Sequence, residues 1–132
     1  NRNIALRQQS TTTNFGYTTH NGATPGTWAN TDCAALITIG KWTHVAVTHD
    51  SLGNVTIYKN GTSCATEAGV TLPTVINRTL NYIGRSSLAA DAYFDGRLDE
   101  VRVWQGVRSQ AEVAANMFKT YATLTSSDSL IA

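Results

Sequence analysis

The sequence is short of charge, short of lysine, and without any long apolar run. Only 14% of its 132 residues are charged, and ten basic against nine acidic residues leave a net charge of +1. Three residues are Lys. No block of one sign is available to capture nucleic acid, so a nucleic-acid partner is not expected. No apolar stretch is long enough to span a membrane, so membrane insertion is not expected either. The two cysteines, Cys33 and Cys64, form no CxxC, and no His stands at finger spacing, which argues against structural zinc. There is no G-x-S-x-G nucleophile elbow. The "GRSS" at Gly84 lacks the GK[ST] of a phosphate loop. The chain starts at Asn1 without Met or a leader and reads as processed or excised.

What is present is hydroxyl and amide. Thr is the commonest residue, with 20 copies, as on the surface of many secreted β proteins. The apolar content is ordinary, so the chain folds rather than staying disordered. Its length fits one domain with a modest core. A Cys33–Cys64 disulfide is the favoured expectation, two unrelated buried thiols the alternative. Three N-x-T sequons, at Asn54, Asn60 and Asn77, matter only where the source glycosylates.

The periodicity is β nearly throughout. "KWTHVAVTHD" alternates, with Thr43, Val45 and Val47 on one face and Trp42, His44 and Ala46 on the other. "DSLGN" is a turn, and "NVTIYKNG" resumes the strand. Asn60-Gly61 signals a tight hairpin, since both residues tolerate positive φ; "TSCATEAGV" is the returning strand. "TLNYIGRS" (79–86) and "GRLDEVRVWQG" (96–106) read as further strands. "NIALRQQ" and "NFGYTTHNG" read as two earlier ones, and "NGATPGTW" as a loop. One helix is expected: Ser109-Gln110-Ala111-Glu112 is a capping box, followed by an apolar stripe at Val113, Met117 and Phe118. The whole reads as an all-β antiparallel sandwich or jelly roll with one short late helix.

Four pieces between Gly40 and Glu112 then stand in a recognisable order. They are "GKWTHVAVTHD", "GNVTIYKNGT", "NYIGRS" and "YFDGRLDEVRVWQGVRSQAEV". Together they resemble the laminin-G-like, concanavalin-A-like lectin/glucanase jelly-roll domains of secreted multidomain proteins. The resemblance implies a single jelly-roll domain over residues 1–132, extracellular or at the cell surface, that recognises carbohydrate or an extracellular protein. Members of that family open with a strand and an Asp/Asn loop that are absent here, while "SDSLIA" at the C-terminus looks like the start of such an opening. The tail, 120–132, is therefore expected to pair with a neighbouring domain or subunit. Either the chain is a piece of a tandem array, or it is a subunit that takes its strand from a second copy.

The acids of "YFDGRLDEVRVW" are the first candidates for chemistry. On a strand, Asp99 and Glu100 point to opposite faces. Glycosidases of the resembled group carry alternating acids, E-x-D-x-x-E, on one face; that alternation is missing, so no enzyme is expected. The resemblance instead implies a structural calcium at Asp99, with Asp95 nearby. The alternative is a strand-end Asp accepting turn amides and paired with Arg97 or Arg102. His44 is expected to be a packed strand residue, and His20 and His49 solvated turn residues. Sugar binding needs an exposed aromatic platform ringed by amides or carboxylates. Tyr17, Trp28, Tyr93 and Phe94 are the aromatic candidates; the alternative for Trp28 and Phe94 is a rim residue that plugs the end of the sandwich. Asn30 is the principal polar one, alongside Asn14, Asn21 and Asp91. A fibre or spacer subunit assembled by strand exchange is the alternative function.

Overall fold

A computed structural model describes residues 4–9, 12–22, 28–86, 89–124 and 130–131, with only the backbone described at Trp28 and Tyr121. It contains two antiparallel sheets of three strands each, β1-β2-β3 and β4-β5-β6. Strands β1 (Ile4–Gln8), β2 (Phe15–His20) and β3 (Trp28–Cys33) form the first. Strands β4 (Val45–His49), β5 (Val55–Lys59) and β6 (Thr62–Glu67) form the second. A single α-helix, α1 (Gln110–Asn116), and a 3-10 turn at Tyr121–Thr123 follow among the described residues. The antiparallel sandwich expected from the strand pattern, of the concanavalin-A-like kind that the resemblance implies, is therefore the fold.

Period-two alternation decides what each strand buries. In β2, Phe15, Tyr17 and Thr19 face inward, and in β3, Ala29, Thr31 and Cys33 do. Tyr17 and Cys33 meet Val55 and Ile57 of β5, with Leu36 and Val70, in one apolar cluster. Val45 and Val47 of β4 pack on its margin, in the phase their alternation gave. The Cys33–Cys64 disulfide joins β3 to β6, so it ties one sheet to the other. Two hydrogen bonds across the layers reinforce it: Thr31 Oγ1 to Glu67 Oε2 at 2.9 Å, and Tyr17 Oη with His49 Nδ1 at 2.9 Å.

The hairpin between β5 and β6 turns on Asn60 and Gly61, both at positive φ, which the right-handed twist of the strands requires of a two-residue loop. Gly61 also makes room for the helix, since a Cβ there would sit 3.0 Å from the Ala114 Cβ. The helix starts where the capping box places it. Ser109 Oγ accepts the Glu112 N–H, and Glu112 Oε2 accepts the Ser109 N–H at 2.8 Å. Val113 is its buried residue. Arg102 ties the preceding stretch to the helix end, donating to the carbonyls of Asn116 and Lys119 and pairing with Glu100 at 2.7 Å.

Two expectations fail here. Residues 79–86 and 96–106 are not strands. Val75, Leu80, Ile83, Leu98, Val101 and Val103 are all largely exposed. A strand needs a ladder of hydrogen bonds to a neighbour, and among the described residues this part of the chain has one isolated bridge, Trp104 with Leu130, and a single backbone bond from Phe94 N to Gly84 O. At the bridge, Ile131 N donates to Val103 O at 2.8 Å. Leu130 and Ile131 of the tail thus meet Val103 and Trp104 of the same chain, and residues 125–129 and 132 of it lie outside the description. The loop expected over 21–28 also falls mostly outside, at 23–27.

Candidate functional site

The expected site residues do not converge. Tyr17 lies in β2, not in a loop, and is 6% exposed. Alternation turns its ring into the core, so it cannot serve as an exposed platform. Its hydroxyl bonds His49, whose ring meets it edge-on with centroids 5.5 Å apart. Burial pushes the Tyr17 pKa up, partly offset by the positive charge of Arg78. His49 was read as a solvated turn residue. It ends β4 in the same phase as Val45 and Val47, so it points inward too. His20 is likewise buried, in β2, with Nδ1 accepting the Gly22 N–H. Beside the Tyr17–His49 pair is a shallow, open depression of about 280 Å³, lined also by Asp50, Ser51, Leu72 and Pro73. Asp50 is spent on its own turn: the Asn54 amide, then the Asn54 and Leu52 N–H groups, hold its carboxyl below the usual range.

Trp28 opens β3, in register with His20; its side chain is outside the description. Asn30 is exposed in the same strand, and its Oδ1 accepts from Thr18 Oγ1 at 2.7 Å and Arg7 Nη2 at 3.2 Å. These groups belong to the outward face of the first sheet, away from the core. The Asn14 side chain serves structure, its Oδ1 accepting from Ala35 N, and the backbone carbonyl of Asn21 accepts from Thr74 Oγ1.

Tyr93 is the aromatic candidate that sits in the open, at 72% exposure. It has a partner that sequence reasoning missed. The Arg85 guanidinium lies 4.5 Å from the centroid of Tyr82 and 5.7 Å from that of Tyr93. Arg85 Nε donates to Ser86 O, and Phe94 N to Gly84 O, which brings the two loop strands of this knot together. Phe94 folds back over Gly96, where a Cβ would meet its ring at 2.6 Å. The only hint in the sequence was Tyr82 and Arg85 standing three apart beside a glycine.

Asp95, Asp99 and Glu100 are not set across a shared face. Asp99 and Glu100 are not on a strand: Glu100 has φ 51, which breaks the extended run. The geometry that separates them is therefore local. Asp99 Oδ1 accepts the Glu100 N–H at 2.9 Å, and Glu100 pairs with Arg102. Asp95 and Asp99 are both exposed. Among the described residues no three His, Cys, Asp or Glu come together as metal ligands. Calcium takes six to eight oxygens, so Asp95 and Asp99 by themselves do not make its cage.

The family model described as "Concanavalin A-like lectin/glucanases superfamily" matches residues 1–114. No curated protein matches the chain. Among solved structures, the chain is similar to residues 221–444 of an S-layer domain-containing protein from Clostridium thermocellum, at 24% identity and a TM-score of 0.56. The match covers 89% of this chain and 57% of that one, so the chain spans under two thirds of its solved neighbour. No helix among the described residues is long and apolar enough to cross a membrane.

Proposed function

The chain belongs to the concanavalin A-like lectin/glucanases superfamily, and we propose that it is a non-catalytic recognition module, outside the cell or at its surface, with carbohydrate as its ligand class. The observation that carries this reading is the exposed knot of Tyr82, Arg85 and Tyr93. An aromatic ring offers its face to the C–H side of a sugar, while a guanidinium held beside it donates to hydroxyls. Among the described residues no two acids face each other as a hydrolytic pair, which favours a binding role over hydrolysis. The inter-sheet disulfide supports an oxidising compartment. The S-layer domain-containing neighbour is in keeping with a surface setting.

A glycan array tests the reading. Wild-type protein binds at least one glycan, and Tyr93→Ala weakens that binding by about tenfold. A wild type silent on every glycan refutes carbohydrate as the ligand.

A second reading, a spacer or fibre subunit joined by exchanged strands, draws on the Ile131–Val103 hydrogen bond. An edge that accepts the tail in its own chain accepts the same segment from another copy. Electron microscopy at high protein concentration shows filaments on this reading, and dispersed particles count against it. A structural calcium at Asp99 belongs to the same level of proposal. It needs oxygens beyond those of Asp95 and Asp99, and calcium titration by calorimetry detects it.

A further inference from the structure

We propose that Asn21-Gly22 is a site of self-modification, at which His20 is the base that helps the Gly22 nitrogen close on the Asn21 side chain and turn its amide into aspartate and isoaspartate. The inference stands apart from the carbohydrate reading and does not depend on it.

The chain holds two Asn-Gly pairs, Asn21-Gly22 and Asn60-Gly61. In each, the glycine nitrogen can attack the Cγ of the Asn before it, since glycine has no side chain in the way. The N–Cγ bond forms, the Cγ–Nδ2 bond breaks, and the amide leaves as ammonia. The attacking nitrogen loses a proton and the leaving amine gains one. Water then opens the cyclic imide at either carbonyl and leaves a carboxylate. Water is the only co-reactant, so geometry and a base decide the rate.

At Asn60-Gly61 the fold opposes the reaction. The two residues have φ of 49° and 79° and stand between the paired Lys59 and Thr62, so they form a type I′ turn. The first central residue of that turn has ψ of about +30°. Ring closure needs the glycine nitrogen eclipsed with the Asn Cβ about the Cα–C bond, and this ψ sets the two nearly opposite. The turn is also held shut. Asn60 Oδ1 accepts the His44 N–H at 2.9 Å, and the Asn60 N–H donates to His44 O at 2.9 Å. On its other side Gly61 abuts Ala114 and Met117.

At Asn21-Gly22 the fold supplies a base. The Gly22 N–H donates to His20 Nδ1 at 3.1 Å. A backbone N–H only donates, so Nδ1 presents its lone pair, and the neutral ring carries its proton on Nε2. The proton that must leave already points at a base. His20 is 6% exposed in β2, so packing holds the ring there instead of leaving it to many rotamers. Asn21 lies one residue past the last β2–β3 pair, His20 with Trp28. Among the described residues no ladder bond therefore fixes its ψ. The product is a changed surface. One new carboxylate takes the net charge from +1 to 0. Isoaspartate adds a backbone atom where the Asn21 carbonyl accepts from Thr74 Oγ1.

Peptide mapping by mass spectrometry, after incubation at neutral pH, tests this, with the reduced, urea-unfolded chain as reference. In folded wild type we expect amide loss at Asn21 about tenfold faster than in the unfolded chain, and at Asn60 about tenfold slower. His20→Gln should bring the Asn21 rate down to the unfolded value or below. Its Asn60 rate should stay slow, which reports that the hairpin is still folded. If folded wild type loses the Asn21 amide no faster than the unfolded chain does, the proposal is wrong, whether or not His20→Gln folds. An Asn21 rate unchanged in a His20→Gln protein whose Asn60 stays slow overturns it as well.

Discussion

The stretch from Phe15 to Glu67 and the stretch from Thr71 to Val103 are both rich in β-branched and aromatic residues, yet only the first forms sheet. In the first, nearly every apolar residue that alternates inward meets a counterpart: Tyr17 meets His49, and Ile57 sits in the shared cluster at 0% exposed. In the second, Ile83 is 69% exposed and the backbone has no ladder. The difference is one of partners rather than propensity. A period-two pattern says which face a strand would bury; it becomes a strand only where a neighbour completes its hydrogen bonds. Residues 103–104 show this locally: among the described residues they meet Leu130 and Ile131, and there a bridge forms.

The largest expected effect comes from the tie between the sheets. Replacing Cys33 and Cys64 by Ala opens a link across 31 residues and removes about 3–4 kcal/mol on the chain-entropy account, measured by urea unfolding. Ile57→Ala follows, at about 3 kcal/mol, because a fully buried side chain leaves a cavity. Ser109→Ala removes the cap of α1 and lowers stability by about 1 kcal/mol. An Ile57→Ala effect no larger than that of Ser109→Ala breaks the picture of a packed two-sheet core.

Acid gives a smaller and separable effect. Burial, helped by the positive charge of Arg102, holds the His44 pKa below its ordinary 6.5. Unfolding lets the ring take up a proton between the two values. Stability from this source is full above the ordinary pKa and falls as pH drops through it toward the folded-state value. The thermal midpoint should therefore fall between about pH 7.5 and about pH 5.5, and His44→Gln should flatten part of that slope. The smallest effect sharpens the comparison from its other side: Ile83→Ala changes stability by less than about 0.5 kcal/mol. A loss near that of Ile57→Ala shows instead that residues 71–103 are packed in solution.

Much of the sheet half was legible. Alternation in "KWTHVAVTHD", the Asn60-Gly61 turn and the Ser109 capping box each specify a local geometry that the fold keeps. His49 was misjudged because it was read by its nearness to a turn, when its phase with Val45 and Val47 already pointed it inward. Phe15, Tyr17 and Thr19 share one face of "FGYTTH", and that alternation already turns the Tyr17 ring away from an exposed platform. The cation–π knot at Arg85 depends on how separate segments meet, which no local pattern encodes.

The central claim is that the chain recognises carbohydrate without cleaving it. The most direct test is to incubate the protein with a glycan that it retains on an array, then size the recovered glycan by mass spectrometry. The account predicts bound glycan of unchanged length. Shortened products, or no glycan retained at all, contradict it.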